Sequence, residues 1–202
     1  MNIIQLDRDV PEIWTLGPAV EALKRGELVI FPTDSVYAIG CDPFDAGAVG
    51  RLYKAKKMDK TKRCSVICAD LKQVSTVARA VSNDGFRFMR RYFPGPFTLL
   101  LKASLDLPTQ AHGRRKSIGV RIPDHPVPQA LVEDFGRPLL VTSVPGWELN
   151  EPVDPVAVAN QLYVKPTYII DMGLQIAEPS TVIDFTTDEP EIVRQGKGIV
   201  ED

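Results

Sequence analysis

Thr33, Asp34 and Ser35 stand in a row inside an otherwise apolar stretch, GELVIFPTDSVYAIG, over residues 26–40. Small oxygen-bearing side chains on a loop held by two buried flanks are what a small-molecule site needs. An ordinary polar turn would show the same residues, so this stretch alone leaves both readings open. Pro32 has no amide proton, so strand pairing must lapse there. Other polar residues stop or start apolar runs at Thr98, Arg121, His125, Thr142-Ser143, Ser180-Thr181 and Arg194. Singly, each reads as a cap, a turn or a surface charge. Together they put hydroxyls and guanidiniums at strand ends, where open α/β sheets gather ligands.

Several common kinds of chemistry find no support. There is no G-x-x-x-x-G-K-[ST] phosphate loop, and Gly196-Lys197-Gly198 is too short to be one. No G-x-G-x-x-G follows a strand, and no G-x-S-x-G elbow is present. Cys41, Cys64 and Cys68, with His112 and His125, are too few for a zinc centre, so no metal site is expected.

The net charge of −2 over 202 residues argues against a protein that coats nucleic acid with its whole surface. Basic residues do cluster: Lys54, Lys56, Lys57, Lys60, Lys62 and Arg63; Arg87, Arg90 and Arg91; Arg114, Arg115, Lys116 and Arg121. Each cluster is either a local anion site or a solvated face. No apolar run is long enough to span a bilayer, and no basic segment followed by an apolar stretch opens the chain. With three cysteines and no disulfide pattern, a cytoplasmic protein without membrane association is expected.

The positioning elements follow from periodicity and punctuation. Helices are expected from Pro18 to Arg25, Ala46 to Lys57 with Asp45 as cap, Leu71 to Ala80, Asp84 to Tyr92, Pro126 to Phe135 and Pro155 to Tyr163 with Asp154 as cap. Strands are expected at 28–31, 65–68, 97–102, 117–122, 139–142, 168–171, 181–185 and 191–194, with a polar loop at 108–115. No linker, repeat or low-complexity tract divides residues 1–202, so the fold class is one α/β domain with a twisted mixed sheet and helices packed on it.

The chain resembles the YrdC/YciO family, the threonylcarbamoyl-AMP synthases and their relatives. PTDSVYAIGCDP, from Pro32, is similar to the family's PTDTVYGLGCDP opening. Pro94-Gly95-Pro96-Phe97-Thr98 resembles PGPxT, and Ser117 to Pro126 resembles TxGVRxPxHP. Pro138 to Ser143 resembles the strand leading to an S-x-N motif, and Ser180 to Asp184 with Val193-Arg194-Gln195-Gly196 resembles STVxD…RxG. The resemblance runs from about Leu16 to Gly198.

It implies a single YrdC-like domain with an open mixed parallel/antiparallel sheet and a large concave, electropositive cleft. The implied substrates are ATP, L-threonine and bicarbonate, and the implied products are threonylcarbamoyl-AMP and pyrophosphate, used in tRNA modification. By position, Thr33, Ser35, Arg121 and Ser180 would bind threonine, and Lys56, Thr98, Ser143 and Arg194 would bind the nucleotide. Lys56 and Arg194 would be the catalytic pair, offsetting phosphate charge. Magnesium would accompany ATP, with no tightly bound cofactor. Arg121 offers a planar fork suited to a carboxylate. A surface arginine does little for folding, so Arg121→Ala is expected to spare stability.

The family's K-x-R and S-x-N motifs align here with Lys56-Lys57-Met58 and Ser143-Val144-Pro145. A histidine appears as Cys68, and Ala38 stands where glycine is usual. Met58 and Pro145 bring this chain nearest the YciO branch. Two functions stay open: a threonylcarbamoyl-AMP synthase of reduced activity, or a YciO-like nucleotide-, tRNA- or double-stranded-RNA-binding protein without that synthesis.

Overall fold

The computed structural model describes residues 1–59, 64–113, 116–187 and 189–201. Lys60, Lys62, Arg63, Arg114 and Arg115 of the basic clusters lie outside the described residues.

The strands are β1 (Asn2–Gln5), β2 (Val29–Phe31), β3 (Ala38–Cys41), β4 (Ser65–Ile67), β5 (Phe97–Lys102), β6 (Ser117–Arg121), β7 (Leu139–Ser143), β8 (Pro152–Val153), β9 (Tyr168–Asp171), β10 (Gln175–Ile176), β11 (Thr181–Asp184) and β12 (Glu191–Arg194). The helices are α1 (Gly17–Lys24), α2 (Ala46–Ala55), α3 (Leu71–Val77), α4 (Asn83–Tyr92), α5 (Thr109–His112), α6 (Pro126–Phe135) and α7 (Pro155–Gln161). Asp45 and Asp154 accept hydrogen bonds from the first free amides of α2 and α7, as caps do. Gly136 closes α6 in the left-handed conformation.

Among the described residues, ten strands form one mixed sheet in the order β1-β9-β2-β3-β7-β4-β6-β5-β11-β12, and β8 pairs with β10 separately. Parallel pairs are β1/β9, β2/β9, β4/β6 and β5/β11; the remaining pairs are antiparallel. This is the expected single-domain α/β fold.

Alternation along the strands splits the core between the two faces. Val29, Phe31, Ala38, Leu139 and Val141 pack with α1 and α6 through Leu23, Leu131 and Val132. Ile30, Ile39, Val66, Leu99, Val120 and Leu140 pack with α2 and α7 on the other side. The cleft opens along β7, β4, β6, β5, β11 and β12, through residues such as Val141, Ser65, Arg121, Thr98, Val182 and Arg194.

The structure departs from the expectations in detail. β1, β3, β8 and β10 were not anticipated, and the polar loop holds the short helix α5. α3 stops at Val77 because Ala78 bridges to Ala103.

Candidate functional site

A cavity of about 340 Å³ opens on the sheet, within the size range of small-molecule sites. Its floor is a row of registered strand pairs. Val182 lies opposite both Thr98 and Arg194, Leu100 opposite Gly119, and Ser65 opposite both Gly119 and Val141. Gly119 is required in this row: a Cβ there would lie 2.5 Å from Ser65 Oγ and 3.1 Å from Thr98 Cγ2. Its hydrogen leaves both side chains room in the cavity.

Six of the eight sequence-predicted site residues line this cavity: Ser35, Thr98, Arg121, Ser143, Ser180 and Arg194. Thr33 and Lys56 stand immediately behind the lining. Thr33 Oγ1 donates to Val36 O (2.8 Å), accepts from Ser35 N (3.1 Å), and sits 3.1 Å from Ser35 Oγ. Its hydroxyl therefore shapes the loop and orients Ser35. That loop is grasped from outside: Gln175 donates to Thr33 O, Lys197 Nζ to Asp34 O (3.1 Å) and Glu178 N to Ser35 O (3.2 Å).

Arg121 departs from the expectation of an exposed fork. Its Nη2 donates to Asp34 Oδ1 at 2.6 Å, and the two side chains are only 11% and 8% exposed. Asp34 Oδ2 also accepts from Asp124 N at 3.1 Å. The pairing follows from the local chain: Pro32 ends β2 and turns Asp34 toward the end of β6. Arg121 Nε is buried and has no hydrogen-bond partner among the described residues. Burial pulls the guanidinium below arginine's ordinary pKa, Asp34 opposes that, and nearby Arg194 adds to it. It stays charged in any case. A charged donor left without a partner beside a cavity is suited to a ligand oxygen.

Ser180, Thr98 and Arg194 form a second connected group. Ser180 Oγ lies 2.8 Å from Thr98 Oγ1. Arg194 donates to Ser180 O from Nε (3.1 Å) and Nη2 (2.7 Å), and to Ser180 Oγ at 3.3 Å. Gly196 permits this approach, because a Cβ there would fall 2.2 Å from Pro179 O. Burial also lowers the pKa of Arg194 from its ordinary value.

The third group lies at the end of β7. Lys56 Nζ donates to Thr142 Oγ1 (3.0 Å) and to Ser143 O. The Thr142 hydroxyl lies 3.9 Å from Met58 Sδ, as a donor to it. Trp147 Nε1 donates to Ser143 Oγ at 3.3 Å, and the indole lines the cavity. Cys64 also lines it, but burial raises its thiol pKa to about 11, so it is no nucleophile at neutral pH.

Sequence reasoning missed Ser65, Gly119 and Trp147, and did not pair Asp34 with Arg121. A serine opening an apolar strand was the available signal for Ser65. Trp147, in a loop after Pro145-Gly146, carried none. His125, expected among the polar strand-end residues, caps α6: its Nδ1 accepts from Val127 N at 3.2 Å.

A family model for Sua5/YciO/YrdC proteins, described as telomere recombination, matches residues 21–196. YciO of Escherichia coli K12 is 37% identical over 95% of this chain and 94% of its own. The crystal structure of E. coli YciO has a TM-score of 0.86 at 36% identity, covering 99% of this chain and 97% of that one. Pyrococcus abyssi Sua5, crystallised with L-threonine, has a TM-score of 0.88 at 31% identity, and the match covers 97% of this chain and 58% of that one. A threonylcarbamoyl-AMP synthase from Vibrio vulnificus YJ016 is 31% identical over 91% of this chain and 100% of its own.

Proposed function

The chain belongs to the Sua5/YciO/YrdC family, and from that premise we propose that it binds L-threonine and ATP in this cleft and forms threonylcarbamoyl-AMP. The observation that carries the reading is the convergence of Ser35, Arg121, Thr98, Ser180, Ser143 and Arg194 on one cavity from distant parts of the chain.

The free Nε of Arg121 meets the threonine carboxylate, and Ser35 and Ser180 offer hydroxyls to its polar groups. Arg194 faces the phosphates, with Thr98 and Ser143 as neutral partners, and Lys56 contributes its charge from behind the lining, where it holds Thr142 and the Ser143 carbonyl. The neutral threonine amine bonds to the bicarbonate carbon, the carbon–hydroxyl bond breaks, and water leaves with that hydroxyl and an amine proton, giving the carbamate. The carbamate oxygen then attacks the α-phosphorus, the bond from the α-phosphorus to the bridging oxygen breaks, and pyrophosphate leaves with that electron pair. The protein supplies positioning and charge stabilisation, without a covalent intermediate. No carboxylate lines the cavity among the described residues. Magnesium therefore fits as an ion carried by the triphosphate oxygens and water, where it would neutralise charge on the leaving pyrophosphate.

A second reading has its own support. Met58 offers Thr142 a sulfur acceptor where the synthase pattern places an arginine, and Pro145 cannot donate. These favour a nucleotide-binding protein in which the synthesis is slow or lost. The deciding experiment incubates the chain with ATP, threonine and bicarbonate and detects threonylcarbamoyl-AMP by mass. The synthase reading expects product that needs all three substrates; nucleotide binding without product leaves the second reading.

A further inference from the structure

Trp147 is the one aromatic side chain among the described residues lining the cavity. Two features hold it there. Its indole N–H donates to Ser143 Oγ across a turn in which Gly146 takes a left-handed φ of +73°. The loop is anchored on both sides, by Val144 N to Tyr37 O (2.9 Å) and by Asn150 N to Ala177 O (2.9 Å). Through Ser143 the indole joins the group made by Lys56, Thr142 and Met58, the cation-bearing wall opposite Arg194 in the proposed reading. Val141, two residues before Ser143 on β7, adds an apolar side chain to that part of the lining. A phosphate or a small amino acid has no use for an indole. A flat heteroaromatic ring does, because stacking on tryptophan combines apolar contact with π-face attraction and tolerates any base.

We propose that Trp147 binds the base of the bound nucleotide, stacking on its ring while the indole N–H orients Ser143. This rests on the nucleotide half of the proposed function and assigns that half a residue outside the family motifs matched above.

The test uses the full chain and AMP as probe. Trp14, the other tryptophan, is 75% exposed, so Trp14→Phe leaves Trp147 as the single indole reporter. AMP should quench its fluorescence with the same Kd that calorimetry gives. Trp147→Ala should weaken AMP at least about tenfold, while Trp147→Phe keeps affinity within about threefold because it keeps a ring to stack on. L-Threonine affinity should be unchanged in both variants. Equal or tighter AMP binding in Trp147→Ala overturns the inference and makes the indole a cover over Ser143, with nucleotide binding itself intact. Equal weakening of AMP and threonine also overturns it, by making the residue a structural support. A native chain that binds threonine but not AMP overturns the inference together with the nucleotide half of the proposed function.

Discussion

Arg121 has one nitrogen committed to Asp34 and another buried without a partner among the described residues, and this asymmetry decides what its loss should do. Arg121→Ala removes the ligand donor and also leaves Asp34 buried beside an empty place. Breaking a buried pair from one side costs about 3–5 kcal/mol. The variant should therefore lose stability as well as threonine affinity, against the expectation drawn from sequence, where no spacing indicated that residues 34 and 121 meet. Urea denaturation checks this: a midpoint equal to the native one contradicts the pairing. Replacing both partners, as Asp34→Leu with Arg121→Met, should restore much of the stability and none of the binding. Met58 and Pro145 were legible as departures because they fall inside motifs. Replacing them by Arg and Asn together should raise the rate of threonylcarbamoyl-AMP formation, since an arginine adds a fork of donors beside Thr142 and an asparagine a side-chain donor near Ser143. Either change alone should do less, because groups acting as a unit are not additive. Initial rates at saturating threonine and bicarbonate decide it; a native rate equal to the folded double variant contradicts the importance of both positions.

At the scale of elements, helices were readable where caps and proline mark them, as at Asp45, Pro126 and Asp154. The missed strands had little to read. β8 and β10 are two residues each, too short for a period, and β1 is an exposed edge strand whose register with β9 depends on a partner far along the chain. β3 is uniformly buried, so its residues show no alternation. The cap of α6 gives a prediction that its sequence does not. Burial lowers the His125 pKa below its ordinary 6.5, with Asp34 and Asp124 partly opposing this, and its neutral Nδ1 accepts the Val127 amide. Between the lowered folded pKa and 6.5 the unfolded chain holds a proton that the folded chain lacks, so stability rises with pH across that window and falls as pH drops below about 6.5. His125→Asn keeps a capping acceptor and removes the titration. Its stability should decline less than the native protein's from pH 7.5 to pH 5 by chemical denaturation; parallel declines contradict the assignment.

Across the whole molecule, the sheet does what the sequence order hides. Strand order places β12, β11, β5, β6, β4 and β7 side by side, so residues from 35 to 194 reach one cavity. Of the polar residues expected at strand ends, Arg121 ends β6, Ser143 ends β7 and Arg194 ends β12. What could not be read was the row of facing residues that makes a floor between them, since register is a tertiary property. The basic clusters look different in three dimensions. Arg87 pairs with Asp84, Arg91 with Glu201 and Arg121 with Asp34, while Lys56 is turned into the sheet wall. Affinity for tRNA, if measured by filter binding, should accordingly be weak and fall steeply with salt; salt-independent binding contradicts a phosphate-contact mode. In the proposed reading one cleft holds an amino-acid half around Arg121 and a nucleotide half around Arg194. Calorimetric titration of L-threonine and of ATP into the native chain, Arg121→Lys and Arg194→Ala tests it most directly. We expect single sites for both ligands in the native chain, threonine weakened at least about tenfold by Arg121→Lys, and ATP weakened similarly by Arg194→Ala, as the loss of a charge-assisted hydrogen bond implies. Native binding of neither ligand, or affinities that neither substitution moves, would mean that the cleft is not divided between the two ligands in this way.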